Sequence, residues 1–266
     1  MGSAISTLYN SIDGVTQNPA SLSEAPNYVH ANFTDFVLGI NTSSLGAGMD
    51  FKGYKYAVNF RYMNFGDFDK YDEDGIDLGS FSAGDKEFSL SVAKKLGNYF
   101  SAGITTAYLN SNIDHYSASA LKMDFGLQYY LPSQNLSLGI SFKNFDTMLS
   151  NYSTKKEHLE NLLLFGISKK LQYAPAIIAV DILKYETLDV IANLGVRIVP
   201  SNHFRFYIGA SSRKIELQNH RDLKSLIAGI SGGCGFSVKS WNFDIGYSSL
   251  GDAGNITSFS FYKLLN

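Results

Sequence analysis

The side chains with chemical reach are scattered through this sequence, and their spacing excludes most catalytic arrangements. His30, His115, His158, His203 and His220 show no metal-ligand spacing and fall mostly in loops or at strand ends. They read as solvated or interfacial imidazoles. The stretch Asp67–Gly75 holds five acidic residues within eight positions. It lacks the ligand order of an EF-hand and reads as an acidic, solvated surface loop. Gly229–Gly235 has no following Lys-Ser/Thr pair and is not a phosphate loop; its glycines would let an inner segment approach a wall closely. No nucleophile–base pair is recognisable, so the expectation is a non-enzymatic protein with no cofactor and no metal. What remains is a set of charges of both signs: Lys55, Arg61, Lys122, Asp124, Asp181, Arg197, Arg205 and Asp244.

Those charges belong to stretches of alternating polarity. The clearest runs from Leu223 to Lys263. Leu226, Ala228, Ile230, Gly232, Cys234, Phe236 and Val238 alternate with mostly small or polar residues. After a tight Lys239-Ser240 turn, Trp241, Phe243, Ile245 and Tyr247 alternate with Asn242, Asp244, Gly246 and Ser248. A period of two is the signature of a pleated strand. Each run holds for roughly nine or more residues, the span of a tilted strand across a bilayer. One face is apolar and aromatic and the other small and hydrophilic, as in a barrel wall between lipid and lumen. Cys234, the single cysteine, falls on the apolar face and rules out an intrachain disulfide.

The same reading applied from Asn27 onward predicts fourteen strands, the first around Tyr28–Phe33 and the second around Ser44–Phe51. Beginning after the second, short connections (Lys52-Gly53, Leu96–Asn98, Leu131–Gln134, Leu171–Ala174, Val199–Asn202, Lys239-Ser240) interleave with longer, more polar ones. The long set is Asn64–Lys86, Asn112–Ala120, Phe145–Leu159, Lys184–Asp189, Ser212–Lys224 and Ser249–Asn255. Short turns at one end and long loops at the other are expected of outer-membrane barrels, with the short turns and both termini periplasmic. The fold class expected is therefore an all-β, transmembrane antiparallel β-barrel of about fourteen strands, residues 28–266. Residues 1–27 do not alternate. They carry a candidate short helix over Ser3–Tyr9 and turn signals at Asp13-Gly14 and Asn18-Pro19-Ala20, and are expected to form a plug inside the barrel.

Composition bounds the function. Charged residues are 17% of the chain, against about 25% in soluble domains, and aromatics are 14%, so the surface is suited to lipid. The net charge of −2 offers no basic field for nucleic acid. No run approaches the length of an apolar spanning helix, and no secretory signal is visible at Met1-Gly-Ser-Ala. With the facing above, Arg61, Lys122, Asp124, Asp181, Arg197, Arg205 and Asp244 point into the lumen. Mixed signs there imply ion pairs with one another or with residues 1–27, since an ion-selective ring would carry one sign.

Two end motifs add a resemblance. Met1-Gly-Ser-Ala followed by Asn18-Pro19-Ala20-Ser21-Leu22 resembles the opening of the PorV/PorQ family of FadL-like barrels, with Ser3 and Ser21 where that family usually has glycine. The tail Gly251-Asp252-Ala253-Gly254-Asn255 resembles its closing hairpin. The resemblance implies an outer-membrane component of the type IX secretion system, acting as an anchor or docking module with secretion or surface-attachment proteins as partners besides outer-membrane lipid. A different class is a FadL-like transporter of hydrophobic small molecules, which would hold an apolar ligand or detergent beside the plug. The expected interior of Ser, Gly, Asn and charged residues favours docking. A phospholipase-like barrel would need an outward Ser-His pair, which the sequence lacks.

Overall fold

In the computed structural model, which describes residues 1–9, 11–153, 157–215 and 228–265, the alternating stretches close into one ring of fourteen antiparallel strands. They are β1 (Asn27–Asp35), β2 (Asn41–Phe51), β3 (Tyr54–Tyr71), β4 (Asp77–Leu96), β5 (Phe100–Ile113), β6 (Tyr116–Leu131) and β7 (Leu136–Ser150). There follow β8 (Leu162–Lys170), β9 (Ala176–Tyr185), β10 (Val190–Ile198), β11 (Phe204–Ser211), β12 (Ile230–Val238), β13 (Trp241–Ser249) and β14 (Asn255–Leu265). The ring is sealed by β1 against β14, from Asn27 opposite Leu265 to Asp35 opposite Thr257. Closure leaves no strand edge, the condition for a sheet to survive in hydrocarbon.

Alternation decides the two faces. On β3, Val58, Phe60 and Tyr62 are exposed; on β4, Phe88 and Leu90 are exposed while Glu87, Ser89 and Ser91 are buried. The exposed set continues around the ring through Phe125, Leu127, Phe165, Ile167, Phe206, Ile208, Phe243 and Ile245. A closed barrel with an apolar outer belt and a polar inner face is built as an integral outer-membrane protein. Cys234 is exposed on that outer face.

Two-residue turns follow from left-handed backbone. Lys52 and Gly53 both have positive φ, which matches the twist of the hairpin they join. Lys239 does the same between β12 and β13. These short turns share one end of the barrel, the turn end, with the start of β1 and the finish of β14. The opposite end is the loop end.

Several expectations are corrected. Asn64–Lys86, Asn112–Ala120 and Phe145–Leu159 are mostly strand: β3 and β4 meet over Asp72–Ile76, β5 and β6 over Asp114-His115, and β7 runs on to Ser150. Polar composition suggested loops, but pairing across a hairpin satisfies the backbone without any apolar requirement. The first two strands begin earlier and the first also ends later than expected. Ser3–Tyr9 forms turns instead of a helix; the 3₁₀ turns lie at Asp13–Thr16 and Pro19–Glu24. The strand expected from Leu226 begins at Ile230, and most of the expected Ser212–Lys224 loop, with His220, lies outside the described residues. His30 is largely buried on the inner face; His115 and His158 are exposed.

The barrel is lopsided. β4 has 20 residues and β3 18, whereas β8, β10, β12 and β13 have 9 each. At about 3.4 Å per residue β4 is roughly 65 Å long, about twice its counterparts across the barrel. The β3–β7 side therefore stands beyond the belt at the loop end.

Candidate functional site: the barrel interior

Three tiers of residues occupy the interior. The first is the contact between residues 1–26 and the inner wall. Glycines stand there in cross-strand pairs: Gly103 with Gly126, Gly139 with Gly166, Gly195 with Gly209. A Cβ on Gly126 would lie 2.0 Å from Asn18 Oδ1, and one on Gly103 2.4 Å from the Pro19 carbonyl carbon. On Gly166 it would lie 2.0 Å from Ser6 Oγ, and on Gly209 2.1 Å from the Gly2 nitrogen. The girdle thus receives the N-terminal segment at backbone distance on six strands. The glycine-rich run expected to do this does not. The nearest atoms to a Cβ on Gly233 and Gly235 belong to β11 and β13. Ser231 of that run bonds the segment, accepting from the Gly2 amide at 2.9 Å.

Side chains then lock the segment. Asp181, fully buried, accepts from the Ile5 and Ser6 amides at 2.9 Å each and from Ser6 Oγ at 2.6 Å. Gln128 Nε2 and Ser168 Oγ both donate to the Thr7 carbonyl. Asn18 precedes the second 3₁₀ turn: its Oδ1 accepts from the Ala20 amide at 3.0 Å, and its Nδ2 donates to the Leu127 carbonyl at 3.2 Å. Pro19 opens the turn where its missing N–H costs nothing, and Ala20 is fully buried. Lys143 Nζ and Ser141 Oγ donate to the Thr16 and Gln17 carbonyls. At the segment's far end Glu24 pairs with Lys95 at 2.7 Å.

The second tier holds the charges. Glu87 Oε2 receives Arg61 at 3.0 Å and Lys122 at 2.8 Å. Asp124 accepts from the Asn144 amide at 2.8 Å, a donor freed because β7 carries an extra residue at Lys143-Asn144 opposite β6. Arg197 pairs with Asp13 of the N-terminal segment at 3.2 Å. Arg205 is held by Asp244 at 3.1 Å, and Tyr207 donates to the same carboxylate at 2.8 Å. Lys55 reaches Asn27 Oδ1 at 3.0 Å. Sequence-derived residues therefore fall into separate groups: Arg61 with Lys122, Arg205 with Asp244, and Asp181 and Arg197 on the segment. Glu87 and Lys143, central to this tier, were missed because each sits where polar residues already alternate. Between the groups lies a cavity of about 530 Å³ whose lining includes Ile5, Ile12 and Val15 of the segment.

The third tier was not foreseen. A bulge between Asn64 and Gly66 shifts the phase of β3 by one residue. Gly66 takes positive φ and its amide donates to Asn64 Oδ1 at 3.1 Å. Without that shift Phe68 would share the outward parity of Phe60 and Tyr62. With it, Phe68 joins Phe81 on the inner face, ring centroids 5.4 Å apart. Ala83, Ala118 and Ala120 are buried on the same face, with Leu109, Ile113 and Met148 in register beside them. The tall wall thus carries aromatic and aliphatic side chains on its inner face, beside the polar Asp85 and Ser111, while Asp67, Asp69, Ser80 and Ser82 face outward.

Among the described residues no group of three His, Cys, Asp or Glu could hold a metal ion. No family model matches the chain, and no curated protein matches it. Solved structures do. The Pseudomonas putida toluene transporter TodX superposes with a TM-score of 0.66 at 11% identity, covering 98% of this chain and 95% of that one. A deltaS2 mutant of the TodX monoaromatic hydrocarbon channel gives 0.72 at 12%, covering 99% and 98%. A Pseudomonas aeruginosa FadL homologue gives 0.60 at 9%, covering 99% and 96%. The likeness is one of fold: the closed antiparallel barrel superposes on theirs over nearly the whole of both chains.

Proposed function

We propose that this protein is a conduit for small hydrophobic molecules across the outer membrane, with residues 1–27 as a plug seated on the glycine girdle. The turn end and both termini then face the periplasm and the tall β3–β7 wall faces outward. The observation that carries the reading is the group of apolar side chains on the inner face at the loop end, Phe68, Phe81, Leu109, Ile113 and Met148, set around the Asp85–Ser111 pair and leading towards a cavity with Ile5, Ile12 and Val15 in its lining. A ligand moving inward would meet apolar contacts first, then a cavity bordered by Arg61, Glu87, Lys122 and Asp244. Concave, largely apolar pockets with a few placed polar groups are the usual form of small-molecule sites. Similarity of fold to proteins described as a toluene transporter and a monoaromatic hydrocarbon channel supports the same substrate class.

The docking role implied by the PorV/PorQ resemblance rests on the end motifs, the strand count and the polar, charged part of the interior. The Asn18-Pro19-Ala20 motif has a local reason here, as a cap and a close fit to Gly103 and Gly126, that holds for a plug of either function. The test is uptake of labelled monoaromatic and long-chain apolar compounds by cells with and without the protein. Loss of uptake on deletion, restored by the wild-type chain, is expected. Unchanged uptake, with stoichiometric co-purification of secretion or surface-attachment proteins, would return the docking reading to first place.

A further inference from the structure

The outer face of the barrel carries a groove across β12, β13, β14, β1 and β2 that neither the interior nor the fold requires. Its volume is about 770 Å³. It exists because Ala31 stands in a row of large residues: Phe243 opposite Phe261, Phe261 opposite Ala31, Ala31 opposite Leu45. Phe33 and Phe259, paired in the next outward row, close its loop-end side. All face the belt, so hydrocarbon surrounds the groove.

One step towards the turn end the chemistry changes. Lys263 lies opposite Val29 and Trp241, its Nζ 4.8 Å from the Trp241 ring centroid. Trp241 in turn stacks on Phe261 at 4.8 Å, joining this site to the groove. Lys239 is in the turn two residues before Trp241. Neither lysine has a carboxylate within ion-pair distance among the described residues. At the other end of the same outer row, two residues beyond Phe33, stands Asp35. An apolar slot with an amphipathic aromatic and free ammonium groups at one end, and a carboxylate at the other, orients an anionic amphiphile in one direction.

We infer that this groove is a binding site for one anionic phospholipid of the leaflet at the turn end. An acyl chain lies over Ala31, and the phosphate sits at Lys263 and Lys239 beside Trp241. The site is independent of what crosses the interior.

The test is native mass spectrometry of the full chain titrated in detergent with phosphatidylglycerol or phosphatidylcholine. Unboiled gel mobility verifies that each variant is a folded barrel. Phosphatidylglycerol should be retained more strongly, by roughly fivefold per lysine. Lys239→Gln with Lys263→Gln should abolish that preference, weakening phosphatidylglycerol retention more than phosphatidylcholine retention. Ala31→Phe, facing lipid and tolerated by the fold, should weaken retention of both. Equal retention of the two lipids by the wild type overturns the inference, as does a preference that survives the double substitution. Undiminished binding to Ala31→Phe places the lipid elsewhere and overturns it too.

Discussion

Among the described residues of the wall, one carboxylate makes more hydrogen bonds to the N-terminal segment than any other side chain. Asp181 accepts three hydrogen bonds from Ile5 and Ser6, and leaving such buried donors unsatisfied costs about 1–3 kcal/mol each. Asp181→Leu keeps roughly the volume but leaves the two amides and the Ser6 hydroxyl without an acceptor. Residues 1–9 should become cleavable by protease in the otherwise folded barrel, and protection equal to wild type would remove Asp181 from this role. At the loop end a second carboxylate acts outside the membrane. Glu160 accepts from the Thr187 side chain and amide, the latter at 2.9 Å. These bonds hold its pKa below the ordinary 4.5. A depressed folded value means that the contact is present above the ordinary range and is lost as pH falls through the lower value. The Thr187 amide resonance should titrate with a midpoint below 4.5; a midpoint at or above it would show that the staple does not form.

Strands and turns were legible because alternation is a property of single sequence positions. The short turns and the outward sets follow from period two. What was not legible depends on phase. A single bulged residue at Asn64–Gly66 moves Phe68 to the other face, and nothing in a period-two count marks where the count restarts. The glycine girdle had a signal that passed unused. Gly103, Gly126, Gly139, Gly166, Gly195 and Gly209 each stand between two apolar outward residues on six different strands. A strand that repeatedly gives up its inward side chain is making room for backbone. The girdle can be tested without disturbing the wall, because these glycines have ordinary strand conformation. Gly126→Val should displace Asn18 and Ala20, open the barrel to ions in planar bilayers and expose residues 1–27 to protease. Gly232→Val, whose added atom meets only the Tyr207 carbonyl at 3.9 Å, should leave conductance at the wild-type level. Equal behaviour of the two variants would detach the girdle from the seating of the segment.

At the scale of the whole molecule the asymmetry of height is the feature that function must use. A barrel needs only about ten residues per strand to cross the membrane, and β8–β13 stop there. The chain spends roughly thirty more residues raising β3–β7, and it places aromatic and aliphatic groups on their concave side, where an antiparallel ribbon facing water on both sides would carry polar ones. Apolar side chains on the inner face above the membrane lower the cost of bringing a hydrophobic molecule out of water by about 25 cal/mol per Å² of its surface covered, before it reaches the charged tier. Phe68→Asp or Phe81→Asp replaces that contact with a charge and should lower uptake of apolar compounds while the barrel stays folded. The same charge at Ser82, exposed on the opposite face, should leave uptake unchanged. If both faces respond alike the wall acts by its bulk and not its lining; if neither responds, the tall wall serves some purpose other than capture.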